Sequence, residues 1–131
     1  MSRLRFAAAV GLAALAAAPA PSADPAKPTK QEWQAVVDKA VAHLKSTQEA
    51  NGGWSTAKNI GVTGVVVTGL LEVGVGPDDP PAAKGLAFIE TLVNPTAGHI
   101  AGSDPKMGLQ NYVTSVNVMA LLEGLALGKA G

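Results

Sequence analysis

The chain has 131 residues, no cysteine, and ten basic against ten acidic side chains. That length points to one domain. The lack of cysteine excludes disulfides, thiolate zinc sites and cysteine nucleophiles together, and the lack of a basic excess argues against nucleic acid as a partner.

At the N-terminus, Arg3 and Arg5 precede an Ala/Leu-rich run from Phe6 to Ala18, followed by small residues and prolines. A charged head, a short apolar middle and a small-residue exit form the pattern of a secretory signal peptide. The run is shorter than the about 20 residues a membrane span needs. Residues 1–23 are therefore expected to be cleaved, making the protein secreted or periplasmic; an uncleaved anchor or an Ala/Pro leader is the plainer alternative. Cleavage leaves eight basic residues against ten acidic ones, a net charge of about −2. Residues 24–29 read as a Pro/Ala/Lys linker.

Thr29 and Glu32 have the spacing of a capping box. The first helix is predicted from about Lys30 to Thr47, where Trp33, Val36, Val37, Ala40, Val41 and Leu44 recur at three- and four-residue steps. Asn51-Gly52-Gly53 follows it as a stop. The second helix, Val62 to Val73, is apolar nearly all round, which predicts burial on all sides. Gly64 and Gly69 within it are expected to admit close neighbours. Asp79 precedes Pro80-Pro81 as a candidate N-cap, and a third helix is predicted from Pro81 to Val93, ended by Asn94-Pro95. Thr96 to Gln110 reads as a Gly-rich loop before a fourth helix from about Tyr112 to Leu127.

The second half echoes the first. Val62–Glu72 and Val113–Glu123 are identical at seven of eleven positions. Lys84-Gly85 and Phe88-Ile89 echo Lys39-Ala40 and His43-Leu44, and Gly98-His99 stands where Gly53-Trp54 stood. A chain repeating at this period is expected to stack supersecondary units, with amphipathic helices outside and apolar ones inside.

Leu44, Gln48, Gly52, Gly53 and Trp54 together resemble the QW repeat of squalene and oxidosqualene cyclases. Asn111-Tyr112, Thr114-Ser115 and the Ala-Leu-Leu run behind them are similar to an inner helix of that superfamily. The chain thus resembles a prenyltransferase/squalene-oxidase repeat protein over Thr29 to Leu127. The resemblance implies an all-α fold of α/α toroid-type helical repeats. Here about four helices would form two repeats in residues 30–131, as part of a larger α/α barrel around an apolar cavity. The second copy departs from the pattern, with Val93 for the glutamine and His99 for the tryptophan. In the family the Gln48, Gly52, Gly53 and Trp54 positions are structural. By their own chemistry, Gln48 can bond free carbonyls at the helix end and amides of the next unit, and Trp54 can seal the joint.

No catalytic constellation accompanies these residues. A cyclase of this family would need a cluster of acids, and Asp78-Asp79 is the one adjacent acidic pair; a turn and cap explain it. A prenyltransferase zinc site needs cysteine, as does a thioester. His43 reads as a helix-end histidine, and Ser103 with Asp104 lacks a histidine at a suggestive spacing. His99, Asn111, Tyr112 and Asn117 are the candidates for loop or cavity function, against the plainer expectation that they hydrogen-bond neighbouring loops.

These features point to an exported, non-catalytic helical binding or scaffold module, without cofactor or metal, for which an apolar, isoprenoid-like ligand is the implied partner. Further repeats or self-association would cover its apolar flank. Two alternatives stay open: an N-terminal fragment of a terpene cyclase-like enzyme whose acids lie outside this chain, and a small self-associating four-helix interaction protein.

Overall fold

A computed structural model describes residues 27–104 and 108–129. The expected signal peptide and the first part of the linker lie outside them. Among the described residues four helices follow one another: α1 (Lys30–Ser46), α2 (Gly61–Glu72), α3 (Pro80–Glu90) and α4 (Gln110–Lys129). The fold is all-α apart from a small hairpin between α3 and α4, formed by β1 (Val93–Asn94) and β2 (His99–Ile100), with Val93 opposite Ile100 and Asn94 opposite His99.

The start of α1 is fixed by its capping box. Glu32 N–H donates to Thr29 Oγ1 (3.2 Å), and Glu32 Oε2 accepts from the Thr29 amide (2.7 Å) and hydroxyl (2.8 Å). The amide first, then the hydroxyl, hold the Glu32 carboxyl below the ordinary value of 4.5. A carboxyl lowered in the folded state stabilises when ionised, so the cap is complete above that value and is lost as pH falls below it. Acid titration is expected to fray the first turn of α1 in that range. NMR shifts of the Thr29 and Glu32 amides report it, and Glu32→Gln should abolish their pH dependence there.

The main core comprises Trp54, Val67, Leu70, Leu71, Val75, Ala82, Ile89 and Ala120. A second cluster of Ile60, Leu92, Ala101 and Val113 lies beneath the hairpin. Helix α1 contributes no fully buried residue and reaches the core with half-buried Val41 and Leu44. Its Trp33 and Val36 are open to solvent.

Several sequence expectations are corrected. Helix α3 ends at Glu90 rather than Val93, because Val93 pairs with Ile100 across the hairpin. Asp79 occupies the N-cap position but does not cap α3; its Oδ2 accepts the Gly76 amide (2.9 Å) in the preceding turn. Pro81, the second residue of α3, has no N–H and so removes one of the two amides from which an N-cap side chain accepts. Helix α2 is not buried on all sides: Gly61, Thr63, Gly64, Val67, Leu70 and Leu71 are buried, whereas Val65 is 50% exposed and Gly69 is open. Gly69 has no neighbour where a β-carbon would project, so the close approach is made at Gly64 alone of these two.

Candidate functional site

The residues resembling the QW pattern meet where α1 ends. Gln48 Nε2 donates to the carbonyls of Gly52 (2.8 Å) and Pro81 (2.9 Å). It therefore links the loop after α1 to the first turn of α3. Both partners are carbonyl oxygens; the sequence pointed to carbonyls near the helix end and to amides, rather than a carbonyl, in the next unit. Gly52 has φ +91°, and a β-carbon there would lie 2.5 Å from the Lys84 carbonyl oxygen. Glycine is thus required both for the turn and for the approach to α3. Asn51 Oδ1 accepts the Gly53 amide (3.0 Å), and the Glu49 carboxylate accepts from Thr56 N–H and Oγ1.

Trp54 is 4% exposed. Its indole Nε1 donates to the Leu44 carbonyl in the last turn of α1 (2.8 Å), and its backbone amide donates to Thr63 Oγ1 in α2 (3.0 Å). One residue thereby ties α1 to α2 through two polar contacts, the one to Leu44 part-buried and the one to Thr63 buried.

The second half repeats part of this arrangement. The Ile100 amide donates to Thr114 Oγ1 (3.2 Å), as the Trp54 amide does to Thr63. This hydrogen bond makes Ile100, rather than His99, the counterpart of Trp54, a displacement of one residue from the sequence alignment. Asn117 Nδ2 donates to the Ile100 carbonyl (2.8 Å), so two α4 side chains hold both backbone groups of Ile100. Asn117 is fully buried, and its Oδ1 has no hydrogen-bond partner. The absent side chain of Gly64 faces that oxygen, at 2.5 Å for a β-carbon.

The four candidate polar residues therefore divide. Asn117 serves the hairpin from inside the fold. His99 is half-buried in β2 with its Nδ1 lacking a hydrogen-bond partner. Asn111 and Tyr112 are exposed in the first turn of α4, Tyr112 to 49%. Ser103 and Asp104 are exposed in the loop. Among the described residues, no group of three His, Cys, Asp or Glu is placed to hold a metal ion.

Sequence reasoning missed two features. Thr63 and Thr114 are structural acceptors at matching places, and the Val-Thr pair shared by both copies signalled them. An apolar groove of about 290 Å³ also runs between α2 and α4, lined by Val65, Thr68, Gly69, Val116 and Met119. The apolar character of both helices predicted contact on every side and gave no sign of the face left open.

No family model, curated protein or solved structure matches the chain.

Proposed function

We propose that the chain is an exported, non-catalytic repeat module of the prenyltransferase/squalene-oxidase type, and that it binds an apolar, isoprenoid-like chain in the groove between α2 and α4. In this reading the helices are toroid-type repeats belonging to a larger α/α assembly. The observation that carries it is the lining of the groove: no charged side chain, one hydroxyl, and four apolar or small residues. Such a surface favours a hydrocarbon over a polar ligand. The volume is close to the lower end of about 300–1,000 Å³ for small-molecule sites, which suits a slender chain more than a polycyclic body.

Equilibrium dialysis with radiolabelled farnesol tests this reading. Val65→Glu places a charge in the groove from a half-exposed position and is expected to weaken uptake by about tenfold or more while leaving the helical circular dichroism unchanged. Equal uptake by the two proteins, or none by either, would overturn the ligand assignment. Export has its own measurement. Native protein from outside the cytoplasm is expected at a mass about 2 kDa below 13.1 kDa; an uncut chain in the cytoplasm would refute the signal peptide.

A further inference from the structure

Helices α2 and α4 align without a gap over Val62–Glu72 and Val113–Glu123, 51 positions apart. Their surroundings differ systematically. In α2, Gly61 and Gly64 are buried beneath Val113 and Val116 of α4, and Val67 is buried against Gly85 of α3. Leu71 is buried too. The α4 counterparts are Tyr112, Ser115, Val118 and Leu122. All four are exposed, Leu122 to 61%.

The converse holds on the opposite side. Val113, Asn117 and Ala120 of α4 are buried, the first two against α2. Their α2 counterparts are half-buried Val62 and Val66 and exposed Gly69. Each helix thus has one face covered; the remaining face is open on α4 and half-open on α2, where Val62 and Val66 touch the main core with part of their surface and Gly69 is exposed. The open face of α2 corresponds to the face with which α4 docks, and the open face of α4 corresponds to the face on which α4 is received.

We infer that a second copy of this chain docks head to tail, seating the Val62–Val66–Gly69 face of its α2 on the Tyr112–Ser115–Leu122 face of α4. The contact continues the internal α2–α4 packing from one molecule to the next. The second copy's α1 then lies over Val118 as Gly85 of α3 lies over Val67. In α1 the exposed pair Val36 and Ala40 stands where α3 has buried Pro81 and Gly85, 45 positions on. A second copy is the occupant because the molecule already displays the fit of these two faces once, and every copy carries both. Neither helix face contains a charged residue, so no ionised group needs to be desolvated. A contact between two different patches is heterologous; it propagates until a ring closes or a filament grows.

Sedimentation velocity on the full chain tests this arrangement with two variants at exposed positions. Leu122→Lys blocks the receiving face. Gly69→Lys blocks the docking face, where a β-carbon meets no atom within 4 Å in the single copy. Wild type is expected to self-associate beyond a dimer as concentration rises. Each variant alone is expected to associate about tenfold or more weakly, with unchanged circular dichroism. Mixed, the two should form a 1:1 dimer and stop, because one intact face of each kind remains. A wild type that stays monomeric overturns the proposal. So does association that Leu122→Lys leaves intact, or a symmetric dimer that Gly69→Lys leaves intact and mixing does not restore. Leu122 lies outside the ligand groove, so farnesol uptake by Leu122→Lys is expected to match wild type, and the two proposals can fail separately.

Discussion

Trp54→Ala is expected to lower the stability of the chain by about 3–5 kcal/mol, the range for deleting a large buried aromatic side chain. That is a large share of the about 5–15 kcal/mol that holds a typical domain together. Trp54 lies within the main cluster, among Val67, Leu70, Leu71, Ala82 and Ile89, so the vacated volume is bounded by several elements and cannot collapse by moving one. The loss should fall first on α1, which has no fully buried side chain of its own and depends on Val41, Leu44 and the indole bridge to the Leu44 carbonyl. Urea titration measures the total, and hydrogen exchange of α1 amides measures the local part. Trp54→Phe separates packing from polarity. It keeps most of the ring volume and removes the Nε1 donor, but the Leu44 carbonyl still accepts from the Thr47 amide and hydroxyl at 3.3 Å. The phenylalanine variant should therefore lose only about 0.5–1.5 kcal/mol. Equal losses for the two substitutions would show that the hydrogen bond, rather than the ring, secures α1.

The elements legible in the sequence were those with a local cause. The Thr29–Glu32 spacing and the apolar stripe from Trp33 to Leu44 placed α1 within a residue of its observed ends, because capping and periodicity are properties of adjacent turns. The internal echo similarly placed α2 and α4 as helices despite the β-branched Val65-Val66-Val67 run, whose strand propensity is a weaker constraint than its packing. What escaped depended on partners distant in sequence. The end of α3 was misplaced because Val93 answers to Ile100 across a hairpin, not to its own helical period. The alignment of His99 with Trp54 missed by one residue, since only the hydrogen bond from Ile100 to Thr114 fixes that register. The groove was hidden for the same reason: apolar residues all round a helix specify contact, but not which face lacks it.

Gly64→Ala is expected to destabilise the fold by about 1–3 kcal/mol, although alanine is the better helix former by about 1 kcal/mol. A β-carbon at this position would lie 2.5 Å from Asn117 Oδ1 and 2.9 Å from the backbone carbonyl carbon and oxygen of Val116. The Asn117 side chain is not free to turn away, because its Nδ2 holds the Ile100 carbonyl. The Val116 carbonyl belongs to the α4 ladder and cannot rotate at all. Relief must come from moving α4 bodily, which disturbs Val113 and Ala120 in the two clusters and the hold on β2. Gly69→Ala supplies the internal control, five residues along the same helix. Nothing lies within 4 Å of its added β-carbon, so only the backbone effect remains, and stability should rise by about 0.4–1 kcal/mol. Opposite signs at two glycines of one helix, measured as urea midpoints at constant m, isolate the α2–α4 contact from helix propensity. If Gly64→Ala also stabilised, α2 and α4 would not pack as closely as the fold requires. The head-to-tail contact, which uses the same pair of faces between molecules, would lose its template.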